Sequence, residues 1–565
     1  MSNSLFRTKN IDKILSDAAT MEADAHHGGG GLSRVLTLKD LTFFGIAAII
    51  GAGSFSSLGQ AVFNGGPGVV LLFIMCAVAC GFTAMCYAEF ASRIPVAGSA
   101  YTYAYASFGE MFAWVIGWAL IMEYSIGNIY VAFSWSDYFS SFMDRIGGHI
   151  PNYLECSYIE AKKAFIEGSA NKDLVDAWNS APVIGGLRMI VDLPALVINV
   201  LITILVYIGV KESRNFSNVM VILKLCIVAL VIVVGAYYVD TANWQPANDA
   251  GIPSFMPNGF SGVMGAVSGV FFAYIGFDAI SVMAEESKNP QKDLPRSMIL
   301  SLVICTVVYI LLTLVLTGVL NYREFDGVGD PLAKIFEVKN VGWMQFLVSI
   351  AAVVAMTSVL LVFQMGQPRI WMSMSRDGLL PPAFQKIHPK YQTPSFATII
   401  TGLLVGVPII FTDKTFVLDF TSIATLFAFV LVCGGVLLIP RKEKTAGKFN
   451  MPYVNAKFIF PAIIFGAAAI LVLYNHNYFT NLLTFSDDNM SLNVTTLLFW
   501  IISILLAIFS LFKNFSLIPL LGLTTCLYLL TGMSAENWAW FGSWLLLGLI
   551  FYFLYGYKKS KLAKN

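Results

Sequence analysis

Leu41-Thr42-Phe43-Phe44-Gly45-Ile46-Ala47-Ala48-Ile49-Ile50-Gly51-Ala52-Gly53-Ser54-Phe55-Ser56-Ser57-Leu58-Gly59-Gln60-Ala61-Val62-Phe63 is the stretch whose reading decides the fold. About 20 helical residues cross a hydrocarbon core at 1.5 Å each, and this run is long and apolar enough to do so. Gly51, Gly53 and Ser54 sit near its middle, and each glycine weakens a helix by roughly 1 kcal/mol. A break at that depth bares N–H and C=O groups that lipid cannot satisfy. It survives only where it lines a cavity or holds a ligand. The stretch therefore predicts half of a binding site.

The rest of the composition agrees with a bilayer as solvent. The 565 residues are 57% hydrophobic and 12% charged, against about 25% charged in an average soluble domain. So much apolar surface cannot be buried in one soluble core, which predicts an all-α polytopic membrane protein with the lipid bilayer as its partner. A net charge of +1, with the basic residues in short loops, gives no reason to expect nucleic acid. Cys76, Cys80, Cys86, Cys226, Cys305, Cys433 and Cys526 fall in apolar segments and Cys156 in a loop. Neither C-x-x-C nor a paired framework is present, so disulfides, metals and cofactors are not expected. The first 36 residues are polar and lack the apolar core of a cleavable leader.

Fourteen spans are predicted, at about 40–63, 68–92, 108–140, 191–210, 217–239, 259–284, 298–320, 341–373, 396–412, 416–439, 457–475, 495–512, 515–533 and 537–557. Lysine and arginine gather in alternate loops: Arg93; Lys211 and Arg214; Lys288, Lys292 and Arg296; Arg376, Lys386 and Lys390; Arg441 to Lys448; Lys513; and the tail from Lys558. The positive-inside rule puts these loops and both termini in the cytoplasm of a cell membrane. The exceptions are segment 143–190, loop 321–340 and a lone Lys414. The predicted organisation is an arm, 1–36; a first repeat, 37–239, carrying the insertion 143–190; a second repeat, 240–440; accessory spans, 441–557; and a tail, 558–565. Residues 4–18 read as an interfacial helix or a disordered tail, and His26-His27 with the glycines after it as a hinge. Tyr153 to Ile166 predicts an amphipathic helix in the insertion, which is a lid or a passive addition.

Span six repeats the signature of span one. Ser268-Gly269-Val270-Phe271-Phe272-Ala273-Tyr274-Ile275-Gly276-Phe277-Asp278 interrupts it with glycine and polar residues. Glycine is common in membrane helices as a close-packing residue, so either stretch alone is weak. Two breaks at matching positions in two sets of five spans point to a five-plus-five inverted-repeat transporter with discontinuous helices 1 and 6, extended by C-terminal helices.

These residues also carry a resemblance. Gly51-Ala52-Gly53, Cys86-Tyr87-Ala88-Glu89-Phe90-Ala91-Ser92-Arg93-Ile94-Pro95 with Gly98-Ser99-Ala100-Tyr101, Phe272 to Asp278, and Ser375-Arg376-Asp377-Gly378-Leu379-Leu380-Pro381 are in register with the spans. The chain resembles the amino acid–polyamine–organocation superfamily, on the branch of the cationic amino acid transporters and their bacterial relatives. The match covers roughly 34–440 and 515–560. Segments 143–190 and 457–512 depart from the bacterial members.

The resemblance implies a small-molecule amino acid substrate. Its carboxylate would meet the amides of Gly51, Ala52 and Gly53, at the positive end of a half-helix. Its ammonium would meet carbonyls near Ile49, Phe272, Ala273 and Ile275, with Phe272 as a gate and Met356 bordering the pocket. Glycine is expected where a Cβ would block the ligand. Lys224 stands in an apolar span about eight residues from its end, roughly 12 Å deep and beyond easy snorkelling. Such a buried ammonium is able to exchange a proton. In several members of the resembled family a fifth-span lysine fills the place a sodium ion takes in other relatives. Lys224 matches it, implying sodium-independent transport with either a proton-coupling lysine or a structural plug on the broken first helix. Glu123 and Asp278 are the other buried carboxyls, able to hold a proton, pair with a lysine or pin the unwound segment. Glu89 is expected to bond the loop after it. Glu123 is the lone acidic group suited to a cationic side chain, and Met356 leaves little room for arginine, which favours small or neutral amino acids.

The function read from these features is secondary active transport of amino acids by alternating access. An exchanger and a non-transporting amino acid sensor are the alternatives. A membrane enzyme is disfavoured: His26, His27, His149, His388 and His476 all lie outside the spans, and no G-x-S-x-G, H-E-x-x-H or P-loop occurs.

Overall fold

The computed structural model describes residues 5, 7–9, 36–96, 98–168, 171–209, 214–248, 251–391, 393–438, 449–484 and 490–564. The helix read at 4–18, except for Leu5 and residues 7–9, lies outside the described residues, as do His26-His27, Lys211 and the basic loop 441–448.

Helices occupy all the predicted spans. Span one is α1 (Leu38–Ile49), a π-helical turn (Gly53–Ser57) and α2 (Leu58–Gly65). Then come α3 (Val69–Arg93), α4 (Ser99–Ser107) in the following loop, and the long α5 (Glu110–Arg145). The insertion carries α6 (Tyr158–Glu167) and α7 (Lys172–Ser180), and it leads into α8 (Leu193–Ile208) and α9 (Arg214–Tyr237). Span six is α10 (Gly259–Gly265), α11 (Val267–Phe272) and a 3-10 stretch (Asp278–Glu286). It is followed by α12 (Pro290–Val319), the short α13 (Pro331–Val338), α14 (Gly342–Arg376), α15 (Ser395–Phe411) and α16 (Lys414–Leu438). The chain finishes with α17 (Ile459–Tyr474), α18 (Met490–Phe512), α19 (Leu517–Leu530) and α20 (Ala535–Phe551). Among the described residues eight helices are long and apolar enough to cross a membrane, and α8, α15, α17 and α19 are shorter apolar helices.

Helix ends follow local chemistry. Asp192 caps α8 by accepting from the Ala195 amide at 3.0 Å. Pro290 opens α12, where its missing N–H costs nothing. Within the bundle α5 packs along α14, and α3 along α12; α16 leans on α5 and α19. This core buries both breaks.

The accessory helices attach to the same frame. Trp118 and Trp544 each donate an indole N–H to the other's carbonyl, at 2.9 and 3.0 Å, and Trp114 donates to the Gly548 carbonyl at 2.8 Å. Helix α20 is thereby riveted to α5. Helices α17, α18 and α19 share a small core of Phe460, Ile464, Trp500, Ala507 and Leu520.

The described residues nearest the two ends of the chain, 7–9 and 557–561, lie on one face. The Arg7 guanidinium sits 5.3 Å over the Tyr557 ring, Lys9 pairs with Asp377 at 3.1 Å, and the Lys561 amide donates to the Asp377 carbonyl at 3.1 Å. The insertion stands at the other end of α5.

Candidate functional site

Helix α1 ends at Ile49, and Ile50 leaves it with φ −79° and ψ 91°. The chain re-enters helix at Gly51, whose carbonyl accepts from the amides of Ser54 and Phe55 at 3.0 and 3.1 Å. The amides of Gly51, Ala52 and Gly53 thus precede the first intrahelical donor and carry the positive end of the half-helix dipole.

The carbonyl side of the break is held by side chains. Lys224 donates to the carbonyls of Ile50 and Ala47 at 2.6 and 3.2 Å, and to the Ser358 hydroxyl at 3.3 Å. Tyr309 donates to the Ile49 carbonyl at 2.8 Å, leaving that oxygen one further lone pair. Lys224 is 3% exposed and joins α9 to the broken first span and to α14. Among the described residues it makes no ion pair.

Span six opens after Phe272. The amides of Tyr274 and Ile275 reach back only three residues, to Phe271 and Phe272, and Gly276 adopts φ +114°. A Cβ on Gly276 would lie 2.9 Å from that of Ala48, and one on Gly53 would lie 2.5 Å from Ala273 Cα. The two broken segments therefore meet backbone to backbone, and glycine is what lets them. On the opposite side a Cβ on Gly51 would strike Val359 at 2.4 Å. The sequence reading gave these glycines to ligand clearance; the structure shows that helix contact already demands Gly51 and Gly53.

Between the breaks lies a small cavity of about 10 Å³, lined by Ala48, Ile49, Ala52, Gly53, Val131, Phe272, Ile275, Val359 and Phe363. It is the room of roughly one water. Every side chain in this lining is apolar. Ile49, Ala52, Gly53, Phe272 and Ile275 are brought together here as the sequence suggests, with Gly51 and Ala273 immediately behind. Met356 is fully buried but stands outside the lining; α14 contributes Val359 and Phe363 instead. The Phe272 ring meets Tyr130 edge-on, at 4.6 Å between centroids.

Glu123 and Asp278 are 3% and 1% exposed and lie near one another, with Tyr87 and Tyr124 close to both and Thr425 beside Glu123. Asp278 lies beside the amides of Gly276 and Ala279 in the unwound segment. Among the described residues, Glu123 Oε2 and Asp278 Oδ2 have no hydrogen-bond partner. Glu89 pairs with Arg93 at 2.5 Å and accepts from the Met451 amide at 2.8 Å. It therefore ties down the segment after the tenth span.

Sequence reasoning missed Tyr309, Ser358, Val131, Val359 and Phe363. The first two had a signal, a hydroxyl in an apolar span. The valines and Phe363 had none, because an apolar side chain facing a cavity and one facing lipid read alike.

A family model described as amino acid permease matches residues 36–502, and one for the permease C-terminus matches 516–560. The chain belongs to the amino acid permease family. This permease is 36% identical to the branched-chain amino acid permease BcaP of Bacillus subtilis over 563 residues, the full length of both chains. It is 33% identical to the methylthioribose transporter of the same organism over 566 residues, again end to end. It is 35% identical to the vacuolar cationic amino acid transporter 2 of Arabidopsis thaliana over 438 residues, 77% of this chain and 63% of that one. The superfamily resemblance therefore holds, and the molecule is a multi-pass membrane transporter rather than an enzyme. One expectation is corrected: the two bacterial matches run through 143–190 and 457–512, so neither segment sets this permease apart from its bacterial relatives.

Proposed function

We propose that this permease carries neutral, aliphatic amino acids across the cell membrane by alternating access, without sodium, and that Lys224 exchanges a proton during the cycle. The observation that carries this reading is the pair of broken helices meeting at a cavity with free amides on one wall and only apolar side chains around it. Main-chain dipoles suit the two charges every amino acid has in common. An apolar lining disfavours a cationic side chain, which would be buried without a partner. The branched-chain substrate in the name of the Bacillus subtilis relative agrees with that chemistry. Lys224 supports the sodium-independent part, since its ammonium already satisfies the carbonyls of Ala47 and Ile50 and the hydroxyl of Ser358.

Fourteen crossings arranged as a five-plus-five inverted repeat, with repeats at 37–239 and 240–440 and accessory helices at 441–557, fit the corresponding breaks in spans one and six. Cytoplasmic termini fit the loop charges and the meeting of both ends on one face.

The test is uptake into proteoliposomes across the twenty amino acids, with and without sodium and a pH gradient. Saturable uptake of leucine, isoleucine and valine, accelerated by substrate inside and indifferent to sodium, is expected. Binding without counterflow would make the molecule a receptor, and arginine or lysine as the preferred substrate would refute the apolar-pocket reading.

A further inference from the structure

The insertion has a small core of its own: Cys156, Ala161, Ala177, Ala181 and Ile190 are buried together beneath Tyr153, Tyr158, Leu174 and Trp178. It is a folded body rather than a slack loop. One of its carboxylates reaches the transporter and has two tasks. Glu160 Oε2 accepts from the Ser157 amide at 3.2 Å, completing the capping box of α6. Glu160 Oε1 accepts from the Lys414 amide at 2.9 Å. That amide belongs to the first turn of α16 and has no partner within its helix, while Asp413 caps the turn through the Phe416 amide at 2.8 Å.

A lysine at a helix N-terminus opposes the dipole, so its presence needs a reason. The Lys414 ammonium bonds Asp137 on α5 and lies 5.7 Å over the Tyr130 ring, one further layer down. Tyr130 in turn meets Phe272, which lines the cavity. Around this column Gly329 packs on Asp137, and its carbonyl accepts from the Ser56 hydroxyl at 3.0 Å, which ties the outer half of span one to the same point. Burial pushes the Glu160 carboxyl up from its ordinary range, while the amides of Lys414 and Ser157 favour its charged form.

We propose that α6 and α7 form a lid whose Glu160 seats Lys414 against Asp137 and Tyr130, and that this contact closes the entrance to the cavity on the face away from the termini. The lid, the ion pair, the Tyr130 ring and Phe272 are successive layers of one plug. Lys414, one of the basic exceptions to the loop-charge pattern, is explained as its bolt. The inference rests on the cavity being the substrate site, but its test reads access rather than transport, so the two can fail separately.

The test is the rate at which a membrane-impermeant thiol reagent, applied on the lid face, labels Ala52→Cys in a Cys226→Ala background. The remaining native cysteines are buried. Labelling is expected to rise about fivefold in Lys414→Met and Glu160→Ala, the shift that roughly 1 kcal/mol of lost closing energy produces. Lys414→Arg should stay at the parent rate because the pair is kept. If Glu160→Ala unfolds through its lost cap, the near-isosteric Asp137→Asn should give the same rise. Parent-like labelling in Lys414→Met or Asp137→Asn, in protein that melts like the parent, would overturn the proposal, as would an equal rise in Lys414→Arg.

Discussion

The residues that matter most are those that replace missing main-chain partners. Lys224 satisfies two carbonyls of a severed helix, and a buried carbonyl left bare costs about 1–3 kcal/mol. Lys224→Met is expected to insert but to melt lower and to lose pH-driven uptake; uptake that stays pH-dependent at the parent level would exclude the proton role. Gly53→Ala, which adds a single methyl, forces the π-helical turn off Ala273. It should abolish substrate-induced stabilisation in a thermal melt, whereas Gly265→Ala, with open space around its Cβ, should leave it intact. Gly51, Gly53 and Lys224 were legible in the sequence because each breaks a rule of membrane helices. Val131, Val359 and Phe363 were not, since an apolar residue in a span breaks none. Met356 was misplaced for a related reason: one turn along a helix separates it from Val359, and periodicity alone does not fix which of the two faces the cavity.

At the scale of elements, the helices follow hydrophobic length and the breaks follow glycine, so both were visible in the chain. Which helix meets which was not, because close packing depends on small residues whose partners are distant in sequence. Gly548 is the clearest case: a Cβ there would fall 2.4 Å from Trp118 Cδ1. Gly548→Leu should therefore unseat α20 from α5 and lower stability by about 1–3 kcal/mol. A thermal melt of the purified protein checks it, and an unchanged midpoint would mean that α20 is not held by this contact. Asp278→Ala is expected to loosen the turn at Gly276 and raise its amide exchange, while Glu123→Gln leaves that turn protected. Equal protection in both variants would remove the pinning role of Asp278.

For the whole molecule, the arrangement joins two kinds of closure. On one face the chain ends converge on Asp377, with Lys9, Tyr101 and the Lys561 amide all bonded to it. On the other the lid converges on Lys414. Between them the broken helices leave a cavity that side chains make apolar and main chain makes dipolar. The central claim is that this main chain reads the two charges of an amino acid while the apolar lining reads its side chain. The most direct measurement is the melting temperature of the purified permease with L-leucine, leucinamide and 4-methylpentanoate, which lacks the amine. The account predicts a concentration-dependent rise with leucine alone, and none in Gly53→Ala. Equal stabilisation by leucinamide or by 4-methylpentanoate would contradict it.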